Sequence, residues 1–144
     1  MKRTLLQILD IEPLFQLLVT KHFNNFRTSL KIANAAKELS QHKAFYIQEE
    51  RKIVDLYGDK NDKGEPIISP TGEVSFKQNP DNLMKFNKDV AKLRMTEVDV
   101  FEPFDVKETD FKEGEMDLTP LQILILSQCI NFVDSDENLE GKEA

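Results

Sequence analysis

Between residues 22 and 58, apolar side chains return at mostly three- and four-residue steps: Phe26, Leu30, Ala33, Ala36, Ala44, Ile47, Val54 and Tyr57, with Ser40 completing the stripe. That period predicts a helix with one buried side. A second line, Ile32, Ala35, Leu39, Tyr46 and Ile53, lies on neighbouring positions and widens the apolar face, so more than one element is expected to pack on it. Arg27, Lys31, Lys37, Glu38, Lys43, Glu49, Glu50 and Lys52 are left for the hydrated surface. No proline interrupts the run; Asn24 or Asn25 offers an N-cap, and Gly58 a left-handed stop after Tyr57. At about 1.5 Å per residue, some 30 residues span roughly 45 Å, more than an average helix. Such a helix either overhangs its own domain or is covered by a partner.

Shorter patterns flank it. Residues 4–9 read as a short strand or the start of a helix, and Asp10, Glu12 and Pro13 resemble a helix start that leads into Leu14, Phe15, Leu17, Leu18 and Val19. A brief turn near residues 20–22 then favours an antiparallel helical pair. Past Gly58, residues 59–65 form a polar turn, and 66–69 with 73–76 read as a small hairpin turned by Pro70 and Gly72. Asn79-Pro80-Asp81 opens a third helix with Leu83, Phe86, Val90 and Leu93 along one line. Residues 97–100 and 104–106 alternate like strands and are expected to extend the hairpin into a sheet of three or more strands. Thr119 as N-cap, Pro120 first and Gln122 third form a capping box, with Leu118 at the staple position. The dense apolar run from Leu121 to Val133 predicts one terminal helix covered on more than one side. Were part of it exposed, it would be the dimer or partner surface.

The fold class expected is α+β: a long central helix packed with three shorter helices and a small antiparallel sheet. Residues 1–133 form a single mixed domain, and 134–144, with five acids and little that could pack, an acidic flexible tail. A chain of 144 residues with 40% hydrophobic composition supports one modest core rather than two. Ten Phe and no Trp supply its large pieces. The lone Cys129 sits in an apolar run, where a buried inert thiol in a reducing, intracellular setting is expected. Met1-Lys2-Arg3 before an apolar stretch faintly imitates an export signal, but Gln7, Asp10 and Glu12 interrupt it and no small-residue cleavage site follows. No run approaches the ~20 apolar residues needed to span a bilayer, so no membrane is expected.

Charge is uneven. Residues 1–57 hold nine Lys/Arg against six Asp/Glu, and residues 97–144 three Lys against fourteen Asp/Glu, so the ends carry +3 and −11 within a net −7. The acidic end could steer a basic partner, or unlike ends of two copies could meet as a homodimer.

Candidate chemistry is sparse. His22, His42 and Cys129 have no zinc spacing, and residues 59–70 fail as a calcium loop because Lys63 holds a ligand position and Pro70 stands where a bidentate Glu is required. The acid groups Glu49/Glu50 and Glu113/Glu115/Asp117 lack any signal of a pocket, and the glycines form no phosphate-binding loop. No catalytic, metal or cofactor residues emerge, and the expectation is a non-enzyme without cofactors. Arg27, Lys31, Lys37 and Lys43, helped by Lys2, Arg3 and Lys21, could line a basic helical surface for nucleic acid, against the overall acidic charge. The residues expected to carry protein interaction are Arg27, Lys31, Asp105, Glu108, Asp110, Phe111, Leu121 and Ile125.

The apolar opening, the segment Glu49-Glu50-Arg51-Lys52-Ile53-Val54-Asp55-Leu56-Tyr57-Gly58, the helix at 79–93, Glu97-Val98-Asp99-Val100 and Leu118-Thr119-Pro120 together resemble a family of small uncharacterised proteins encoded by tailed phages of Gram-positive bacteria. The resemblance covers most of residues 4–133 and supplies no catalytic residues. It implies a phage-encoded accessory or morphogenesis-associated protein working in the cytoplasm of an infected bacterium; the charge asymmetry adds the expectation that it acts by protein–protein binding, as an inhibitor of a host or defence protein. The acid-rich half would then cover a basic surface of a bacterial or phage protein. A virion component or assembly factor, and a nucleic-acid-binding regulator, are the alternatives.

Overall fold

The computed structural model describes residues 1–134. All but the first residue of the expected acidic tail lies outside the described residues. Strand β1 (Lys2–Thr4) runs directly into helix α1 (Leu5–Leu18). Thr4 caps it in a reciprocal box: the Gln7 backbone N–H donates to Thr4 Oγ1, and the Thr4 N–H donates to the Gln7 side chain. The helix therefore starts earlier than Asp10, the position that the acids and Pro13 suggest. Pro13 falls inside it, on the exposed side, at the cost of one backbone hydrogen bond. Packing offsets that loss, because Leu5, Ile8, Ile11, Phe15 and Leu18 are all fully shielded from water.

Helix α2 (Phe26–Tyr57) is the 32-residue scaffold, capped by the Asn25 side chain, which accepts from the Thr28 N–H at 2.7 Å. Its buried line is Thr28, Ile32, Ala35, Ala36, Leu39 and Tyr46. The second apolar line of the sequence thus supplies the core, and from the first line Phe26, Leu30, Ala33, Ala44 and Ile47 remain exposed. Two adjoining stripes on one helix look alike to periodicity; the docking of α1 selects between them. Gly58 ends α2 in an extended conformation, φ −70°, not the left-handed one expected. Its need for glycine is steric: a Cβ there would lie 2.8 Å from both the Val54 carbonyl oxygen and Val74 Cγ1.

Helix α3 (Asp81–Arg94) packs on the C-terminal half of α2. The Asn79 side chain does not cap it. Strand β2 (Glu97–Asp99) pairs antiparallel with β1, Lys2 opposite Asp99, and not with the 66–76 segment. That segment makes only a small hairpin, with a bridge between Ile68 and Val74 and a turn at Gly72, φ +86°. Strand β3 (Phe104–Lys107) pairs in parallel with β4 (Ile130–Val133), so two separate two-stranded sheets replace the expected larger one. The terminal helix is corrected as well: α4 (Pro120–Leu126), with the expected Thr119–Gln122 box, stops after seven residues and the chain continues as β4. A short apolar run fits helix or strand equally well, and here the hydrogen-bonding edge of β3 decides. The core lies between α1, α2, α4 and the two sheets, with Phe15 against Phe101 and Phe23 against Phe111.

Candidate functional site

The C-terminal half of α2 and one face of α3 form a floor, and the 66–80 segment stands over it as a wall. The result is an open groove of about 1130 Å³. Val54, Phe86 and Val90 line its floor, and its lips carry exposed Leu6, Ile68, Leu83 and Met95. Tyr57 donates to Asp89 at 2.9 Å and Asn82 donates to the Tyr57 carbonyl at 3.1 Å, which joins α2 to α3. Asp59 fastens the wall: it accepts from the Ser75 hydroxyl at 2.7 Å and from the Gln78 N–H at 3.1 Å. Burial alone would raise the Asp59 carboxyl, but those donors and the backbone N–H groups of Lys77 and Asn79 hold it below its ordinary range.

Beneath one end of the groove lies a polar cluster. Buried Tyr46 donates its hydroxyl proton to Glu50 and accepts from Arg94 Nε at 3.1 Å. Burial, then the Glu50 carboxylate, pushes the Tyr46 hydroxyl up, and Arg94 opposes this in part. Tyr46 in turn strengthens the basicity of Arg94. Arg94 is thereby held by one nitrogen, and its two outer nitrogens have no hydrogen-bond partner among the described residues.

The structure disperses the residues that the sequence marks for interaction. Asp110 is structural: it accepts from the Lys107 N–H at 2.8 Å and from Asn25 at 2.9 Å, closing a 3₁₀ turn against the N-cap of α2. Asp105 accepts from Asn131 across the parallel pair, and Glu108 is exposed. Phe111 is only 4% exposed and belongs to the core with Phe23. Arg27 is exposed, and Lys31 sits 6.0 Å above the Phe104 ring. On α4, Leu121 points to solvent while Ile125 packs against the core. Glu50, Arg94 and Met95, which line the groove, and Tyr46 beneath it carry no mark of interaction in the sequence; the one signal is that Met95 falls off the apolar line of α3.

The opposite charges of the two chain ends meet inside one molecule. The Met1 amino group pairs with Glu102 at 2.8 Å, Lys2 with Asp99 at 3.3 Å and Lys21 with Asp117, and His22 Nδ1 is hydrogen-bonded to Glu115. The exposed stripe of α2 is interrupted at its middle, where Ser40 bonds to Gln16 and Glu12 of α1. Buried Glu12 is also paired with Lys43 at 3.0 Å. Cys129 is buried, and desolvation pushes its thiol up to about 11, with Arg3 opposing. His42 faces the Asp99 carbonyl. Among the described residues no three His, Cys, Asp or Glu side chains gather as a metal site, and no helix is long and apolar enough to cross a membrane. Comparison with protein-family models, with curated proteins and with solved structures finds no match.

Proposed function

We propose that the protein is a binding module that docks a segment of another protein in the groove between α2, α3 and the 66–80 wall. The observation that carries this reading is the coincidence of an open cavity of about 1130 Å³ with four large apolar side chains exposed on its lips. That volume exceeds the roughly 300–1,000 Å³ of small-molecule pockets. Exposed Met95 suits such a surface, because its flexible thioether adapts to the shape of a partner. The sequence resemblance adds the proposal that the chain is a phage accessory protein, and the acidic charge of its C-terminal part the proposal that it is directed at a bacterial host or defence protein.

A photo-crosslinking residue placed at Leu83, and at Leu121 as a control, tests the docking reading in infected cells. The expected result is one partner captured at Leu83 in near-stoichiometric yield, lost when Met95 is changed to Ser, and not captured at Leu121. Equal capture at both positions would defeat it.

A further inference from the structure

The wall of the groove keeps its shape without help from the floor. Among the described residues, every hydrogen bond made by residues 61–78 ends within residues 59–78. The Ser75 N–H donates to the Ile67 carbonyl at 3.0 Å, the Ile67 N–H to the Asp59 carbonyl at 2.8 Å, and the Asp59 N–H to the Ser75 carbonyl at 2.9 Å, which closes a ring of bonds at the neck. The Asp59 carboxylate and the bonds between Lys60 and Gln78 tie the two ends of the loop to each other. No residue from 61 to 78 is buried.

What holds this loop to the body is slight and mostly apolar. Phe76 meets the Phe86 ring at 5.1 Å between centroids, both half-buried, and Val74 rests against Gly58. At the neck the Lys60 ammonium donates to the Asp55 carbonyl. The body is fastened up to the other side of the same neck, where Asn82 donates to the Tyr57 carbonyl and Tyr57 to Asp89. Gly58 and Asn79 stand at the junction of the two sets of bonds, and Gly58 lacks a Cβ, so backbone rotation there meets little steric resistance. A unit bonded within itself and lightly attached to its support opens as one piece at low cost. Ile68 on the loop and Leu83 on the facing lip are both exposed, so a segment held between them is covered from two sides. Resting on the docking reading above, we infer that residues 61–78 form a hinged flap that lifts about Gly58 and Asn79 to admit the docked segment and returns over it, with the Phe76–Phe86 ring pair as the latch of the closed position.

Paired spin labels on the full chain test this without a partner. Arg51→Cys is combined with Thr71→Cys to report the flap and with Lys88→Cys to report the floor; the three positions are exposed, and buried Cys129 stays unlabelled in the folded chain. The Thr71 pair is expected to give two distance populations, closed and lifted, and the Lys88 pair one. Phe76→Ala should raise the ratio of lifted to closed about two- to tenfold through loss of the ring pair, with the Lys88 distance unchanged. Amide exchange at Ile67 and Ser75, whose bonds lie inside residues 59–78, should be the same with and without the substitution. A single Thr71 distance in both proteins would overturn the flap and leave the docking groove standing. Faster exchange at Ile67 and Ser75 alongside the second distance would also overturn it, because the loop would then be unravelling rather than swinging. Loss of the Leu83 capture overturns the docking reading, and the flap's role as a cover falls with it, whatever the Thr71 distances.

Discussion

Helices α1 and α3 are both fourteen residues long and both lie on α2, yet they are used in opposite ways. Five large side chains of α1 are completely enclosed, whereas α3 buries Val90 alone and leaves Leu83 and Met84 exposed, as is Met95 just past its end. In sequence α3 has the cleaner division into apolar and polar sides, and α1 is apolar nearly all round. A clean stripe means one covered face; apolarity on all sides means coverage by several elements. Here α2, α4 and β1 all meet α1, and α3 has α2, the thin 66–80 wall and a slight contact with α1 beside it. The well-covered side holds the molecule together, and the half-covered side is available to something else.

Substitutions should separate the two sides most sharply at their aromatic residues. Phe15→Ala removes an enclosed ring that packs on Phe101 and should cost about 3–5 kcal/mol in chemical denaturation. The same change at Phe86, half-buried against Phe76, should cost clearly less. Equal losses would erase the distinction. At the start of α1, Thr4→Ala breaks the capping box and should cost about 1 kcal/mol, because the first-turn N–H groups lose their acceptor. On the open side, Met84→Ser should change stability by no more than about 0.5 kcal/mol, since the side chain is 79% exposed.

Acid should loosen the groove wall before the core. The carboxyl of Asp59 is depressed in the folded chain, so its contribution is complete above its unfolded value, roughly pH 4, and is lost as pH falls through the lower folded value. Amide exchange at Ser75 and Gln78 should therefore accelerate in that window ahead of the α1 amides, and Asp59→Asn should abolish the pH dependence. On the enclosed side, native Cys129 should resist alkylation at pH 8 and react quickly once unfolded, because its thiol is raised to about 11 by burial.

The sequence by itself determined α2, whose long unbroken period and Asn25 cap leave no competing structure, along with the α4 start at the Thr119–Gln122 box and the buried state of Cys129. These are local matters, settled by periodicity, capping and apolar surroundings within a few residues. Which stripe of α2 faces inward, whether residues 130–133 form helix or strand, and which strands pair were decided only by tertiary structure. Each depends on a partner distant in sequence: α1 for Ile32 and Leu39, β3 for β4, and Lys2 for Asp99. The groove belongs to the same class. Leu83, Arg94 and Ile68 become a site only because the fold sets them around one hollow, and a residue left uncovered looks in sequence like any member of an apolar stripe.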